Sequence, residues 1–162
     1  MIQDQLAEYY GLITHLDAEV GRILDILAQS NHADNTYVIY AADHGLAVGS
    51  HGLLGKQSVY EHSQQSPLII IGPDVPHGET TALTYLFDLV PTISRLTHPH
   101  PLHAIDGNDL SGLWQGAQES IRDSLFLAYR EVARAVRDNR YKLIRYPQID
   151  HTQLFDLQTD PD

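Results

Sequence analysis

Apolar residues recur at helical spacing through residues 3–30: Leu6, Tyr9, Tyr10, Ile13, Leu16, Val20, Ile23, Leu24 and Leu27. Asp4, Glu8, Asp17, Glu19 and Asp25 fall mostly on the rest of the wheel. The spacing predicts one long amphipathic helix ending near Ser30 and Asn31, with its stripe, tyrosines included, facing a core rather than a cofactor. His15 reads as a surface or packed residue. At residues 36–42 the pattern becomes a short apolar, β-branched run, the mark of a buried strand. Residues 67–72, PLIIIG, form a second such run closed by Gly72 and Pro73, read as a fully buried strand. A turn-rich stretch over residues 74–80 leads to a short helix around residues 86–96, with Asp88 near its start and Pro91 in its first turn or so. No tight-turn signal joins the two strands, so parallel pairing and an α/β architecture are expected.

Residues 123–162 change character. SLFLAYR, VARAVRD, RYKLIRY and TQLFDLQ are short alternating segments parted by polar breaks, and three or four antiparallel strands fit them. Alternation puts Tyr141, Leu143 and Arg145 on one face of the third segment, and Lys142, Ile144 and Tyr146 on the other. Arg130, Arg134, Arg137, Arg140, Lys142 and Arg145 make this the least acidic part of the chain. They are expected on solvated strand faces and in surface ion pairs. The expected organisation is an α/β unit over residues 1–118 followed by a small antiparallel β subdomain over residues 119–162.

Composition narrows the function. The 162 residues are 43% hydrophobic, enough for a compact core, and carry a formal net charge of −11. That charge argues against nucleic acid and anionic membrane surfaces as partners, and an anionic substrate would need a local cation. There is no cysteine, hence no disulfide, no thiolate metal site and no cysteine nucleophile. No apolar run approaches a membrane span, and the amino terminus lacks a basic-then-apolar signal pattern, so a soluble protein is expected and its compartment stays open.

The chemistry concentrates in residues 36–62, TYVIYAADHGLAVGSHGLLGKQSVYEH. Asp43 and His44 stand at the end of the first strand, where open α/β sheets place their sites, and Gly45 lets the chain turn there. They could be two ligands of one divalent ion, with Lys56 a point charge for an anionic substrate. The tripeptide alone is also an ordinary turn. The cluster His98, His100 and His103 looks metal-binding but is read as an exposed loop between prolines.

The stretch as a whole is more specific. Asp43-His44-Gly45, Gly49-Ser50-His51-Gly52, Gly55-Lys56, Tyr60-Glu61 and Pro67-Leu68-Ile69-Ile70-Ile71 follow one another as in the sulfatase family of the alkaline-phosphatase superfamily, which this sequence resembles. HLDAEVGRILDIL, FDLVPTISRL, Asp106-Gly107 and Leu154-Phe155-Asp156-Leu157 extend the resemblance over the C-terminal portion of that family's length. The resemblance implies part of an alkaline-phosphatase-like sheet with flanking helices and a small C-terminal antiparallel subdomain. It implies a sulfuric ester hydrolase, with Asp43 and His44 on a metal ion (calcium, magnesium or manganese). Lys56 would act on the sulfate as catalytic and substrate-binding residue, and His51 would be a further substrate contact. His51 and His62 are candidates for protonating a leaving group, although packing and hydrogen bonding are equally good roles. The family's formylglycine, made within a Cys/Ser-x-Pro/Ala-x-Arg motif, and its early aspartates have no counterpart in these residues, so no sulfatase turnover is expected of them alone. One departure stands out: Gln65-Ser66 occupies the place of the family's Arg-Val, which leaves the packing of the loop in question. The alternatives are a phosphonate monoester or phosphodiester hydrolase of the same superfamily, or a non-catalytic assembly domain. In the last case Val38, Ile39, Leu68 and Ile70 would face a gap, with homo-oligomerisation in compensation.

Overall fold

The computed structural model describes residues 2–98 and 105–160. Helix α1 (Ile2–Ala28) is followed by strand β1 (Val38–Ala41), a long loop holding the single-turn helix α2 (Glu61–Gln64), and strand β2 (Leu68–Ile71). Helix α3 (Leu89–Thr97) and the short α4 (Ser111–Trp114) come next, then strands β3 (Leu125–Tyr129), β4 (Ala133–Arg137), β5 (Tyr141–Tyr146) and β6 (His151–Asp156). Pro91 falls within the first turn of α3, where its missing N–H has no helical partner to lose. Among the described residues no helix is long and apolar enough to cross a membrane. Of the three loop histidines, His100 and His103 lie outside the described residues; His98 is exposed, with Thr97 Oγ1 2.8 Å from its Nδ1.

β1 and β2 pair antiparallel, with Val38 opposite Ile71 and Ala41 opposite Leu68, and this corrects the parallel pairing expected from the sequence. Lack of a two-residue turn excludes only a tight hairpin. Here a long loop folds back on itself through Ala42 N to Pro67 O (3.3 Å), Gly45 N to Ser63 O (3.0 Å) and Ala47 N to Gly55 O (3.0 Å), returning the chain to the end it left. The second sheet is a meander, β3-β4-β5-β6, all antiparallel, as the alternating segments predicted.

The core is displaced from where the hydrophobic pattern put it. No residue of α1 is buried, and Tyr10, Ile13, Leu16, Ile23 and Leu24 of its stripe are exposed. β2 is likewise only half-covered. Tyr40, Ile69 and Ile71 share an exposed face, whereas Ile39, Leu68 and Ile70 on the other face are partly covered. The bare face is therefore not the one expected, and Val38 does not share a face with Ile39, Leu68 and Ile70. Pattern alone reports that a face is apolar, not which element covers it. The buried cluster is Val59, Ala133, Ala135 and Ile144, ringed by Tyr60, Leu127, Tyr129, Tyr146 and Phe155. It joins the end of the β1–β2 loop to the C-terminal sheet. The accessible surface is 11,539 Å², against about 8,100 Å² for a closed monomer of this mass by size scaling.

Two buried ion clusters fix the remaining geometry. Asp88, with no exposed surface, accepts hydrogen bonds from Arg122 Nη1 (2.6 Å), Arg122 Nη2 (2.7 Å), Tyr85 N (2.6 Å) and Asn108 N (2.9 Å). Burial alone would raise its pKa, but the bonds from Arg122, Tyr85 and Asn108 outweigh burial and hold the carboxyl below its usual range. The second cluster links Glu61 to Arg137 and Lys142.

Candidate active site

Where β1 ends, Asp43 and His44 turn out of the strand onto the back-folded loop. Gly45 is required at this bend: a Cβ there would stand 2.0 Å from the carbonyl oxygen of His62. His44 Nδ1 lies 2.9 Å from Gly45 O, which makes Nδ1 the donor and leaves Nε2 with a lone pair. Nε2 lies 3.3 Å from Asp43 Oδ2 and in hydrogen-bond contact with Lys56 Nζ. The loop therefore gathers the three residues singled out from the sequence. Asp43 is largely exposed and lines a cavity of about 520 Å³ with Gln64, Gln65, Ser66, Thr84 and Arg137. Another cavity, about 490 Å³, lies over β2 beside Leu110 and Trp114 and is lined by none of Asp43, His44 and Lys56.

His51 goes elsewhere. Its backbone sits at φ 54°, and its ring stacks on Tyr60 (centroids 4.1 Å apart, planes at 14°) beside His62 at 5.4 Å and edge-on to Phe155 at 6.4 Å. Its recorded contacts are aromatic packing. His62 Nε2 meets Ser58 Oγ at 3.3 Å.

The sequence reading missed the anchor of the loop. Lys142 is 1% exposed and its Nζ donates to Glu61 Oε1 at 2.6 Å; Arg137 Nη1 donates to Glu61 Oε2. Burial pushes the Lys142 pKa down, and Glu61 draws it back part of the way. Arg137 and Lys142, assigned to solvated faces, are thus inward-facing, and the loop has a guanidinium partner in Arg137 although Gln65 stands where the family has arginine. The readable signal was the alternation itself, which set Lys142 on the same face as Ile144.

A divalent ion takes oxygen and imidazole donors. Asp43 carboxylate and His44 Nε2, 3.3 Å apart, suit two neighbouring ligands of one ion. Among the described residues no group of three or more His, Cys, Asp or Glu side chains is placed to hold a metal. The donor set fits part of a site.

A carboxylate, an imidazole and a lysine converge where β1 ends. The sulfatase family model matches residues 2–99, and the chain belongs to that family. A choline-sulfatase of Rhizobium meliloti is 30% identical over 94% of this chain and 31% of its own length. An N-acetylglucosamine-6-O-sulfatase of Bacteroides thetaiotaomicron is 28% identical over 98% and 31%. Among solved structures, a protein in complex with its substrate D-glucosamine-2-N,6-O-disulfate aligns with TM-score 0.83 at 26% identity, over 92% of this chain and 33% of its own. A phosphonate monoester hydrolase from Silicibacter pomeroyi aligns with TM-score 0.81 at 28%, over 91% and 34%. The chain thus spans about a third of the length of the relatives it matches.

Proposed function

We propose that these residues supply one side of a sulfuric ester hydrolase site. Asp43 and His44 would hold a divalent ion, calcium, magnesium or manganese, with further ligands from outside the described residues. Lys56 would meet the anionic oxygens of the ester. The observation that carries this reading is the convergence of Asp43, His44 Nε2 and Lys56 Nζ at the end of β1. Bound there, the ion would supply electrophilic assistance to the ester oxygens. The chain's own contributions are an imidazole whose Nδ1–H is fixed by Gly45 O and an ammonium aimed at the same point. The family's formylglycine motif has no counterpart in these 162 residues, so the chain alone should not turn over an aryl sulfate.

Calorimetric titration with calcium, magnesium and manganese tests the metal assignment. A pair of protein ligands predicts weak binding, a Kd of about 10⁻³ M or higher, abolished by Asp43→Ala. Equal heats for wild type and variant would overturn the assignment, and robust metal-dependent aryl sulfate hydrolysis would overturn the claim of inactivity. The alignment with a phosphonate monoester hydrolase favours a second reading, in which the anion is a phosphonate. Tighter binding of methylphosphonate than of inorganic sulfate, lost in Lys56→Ala, would select it.

A further inference from the structure

Arg137 and Lys142 are direct cross-strand partners on β4 and β5, and both turn their charges inward. Like charges placed opposite each other destabilise a sheet, and a lysine that is 1% exposed is costly to desolvate. Apolar side chains would pack this face against Val59 and Ile144 without either cost. The pair makes sense only with an anion between them, and one carboxylate fills that place: Glu61 gives Oε1 to Lys142 at 2.6 Å and Oε2 to Arg137. Tyr60 adds its hydroxyl to Gln153 Oε1 at 3.0 Å. The single turn α2 is thereby docked in one orientation on the C-terminal sheet.

Both halves of the candidate site hang from that turn. On one side, Ser63 O accepts Gly45 N at 3.0 Å, next to His44. On the other, Ser58 Oγ meets Ser63 Oγ at 2.9 Å, and Ser58 N donates to Lys56 O at 2.8 Å. A rotation or slip of α2 would move His44 and Lys56 relative to each other.

We propose that Glu61 is a positioning residue: through Arg137 and Lys142 the C-terminal sheet sets the spacing between Lys56 and His44. This rests on the reading of Lys56 as the anion contact, and the test separates the two. Inorganic sulfate is titrated into the full chain by NMR for wild type, Glu61→Gln, Glu61→Gln with Lys142→Met, Lys56→Ala, and Leu110→Ala, a buried substitution outside the loop used as a control of lowered melting temperature. Glu61→Gln should weaken sulfate binding about tenfold or more and shift the Gly45 and Lys56 amide signals. Lys142→Met in the second variant removes the stranded buried ammonium and should restore the melting temperature without restoring sulfate affinity. Recovery of affinity along with stability, or the same losses in Leu110→Ala, makes Glu61 merely structural and overturns the proposal. Unshifted Gly45 and Lys56 amides in a folded Glu61→Gln protein also overturn it. If wild type and Lys56→Ala respond to sulfate alike, the anion reading falls, and the amide shifts alone decide whether Glu61 positions the loop.

Discussion

Replacing Asp88 by asparagine changes one oxygen to an amide nitrogen in a site with no exposed surface. The carboxylate accepts two bonds from Arg122 and one each from the backbone N–H of Tyr85 and Asn108, all between 2.6 and 2.9 Å. An asparagine can accept at only one of its two heads, so its NH₂ faces a donor on either side, and Arg122, with 13% of its side chain exposed, loses its counter-charge. Breaking a buried pair from one side costs about 3–5 kcal/mol, a large share of the roughly 5–15 kcal/mol that folds a typical domain. With a urea m-value near 2 kcal/mol/M, Asp88→Asn should lower the unfolding midpoint by about 1.5–2.5 M. The pH dependence supplies an independent check. Because the folded carboxyl titrates below its unfolded value, near 3.9, its contribution is fully present above that value and disappears as pH falls through it toward the folded pKa. The variant should lack this part of the acid limb. A midpoint loss under about 0.5 M, or acid limbs that superimpose, would refute the assignment of Asp88–Arg122 as the latch between α3 and the segment leading to β3.

Two further outcomes follow from the geometry. Gly45→Ala sets a Cβ 2.0 Å from a backbone oxygen, so the loop must shift; a destabilisation of about 1–3 kcal/mol with loss of metal heat is expected, and unchanged calorimetry would count against the bend described at His44. The exposed Tyr40, Ile69 and Ile71 face should drive self-association of the isolated chain. Sedimentation should show species above the monomer that Ile69→Lys reduces, and a monomer at all concentrations would dispose of the homo-oligomer.

The long helix, both apolar strands, the C-terminal meander and the convergence of Asp43, His44 and Lys56 were legible because each depends on local pattern or on a motif of short span. The direction of β1–β2 pairing was not, since it is set by hydrogen bonds inside the loop rather than by the loop's length. The ion clusters escaped for a related reason. Arg122 lies 34 residues from Asp88, and Arg137 lies 76 from Glu61, beyond the reach of any periodicity. A residue's type tells little about burial when its partner is that far off; Lys142 was placed on the correct face and still taken for a solvated one. The stripe of α1 failed in the opposite direction, apolar by pattern and yet unburied among the described residues.

The separation between Glu61 and its two cations also imposes an order in time. Lys142 follows Glu61 by 81 residues, so the loop and both ends of the candidate site leave the ribosome long before their anchor exists. At about 5–20 residues per second the interval is roughly 4–16 s, ample for the β1–β2 ribbon to close and reopen many times. During synthesis the Glu61 carboxylate waits for both of its cations, and, on the proposal above, the spacing of Lys56 and His44 waits with it. If Glu61 positions the loop as proposed, the β4–β5 hairpin sets that spacing, and a ribosome stalled before β5 would display the whole motif without its geometry.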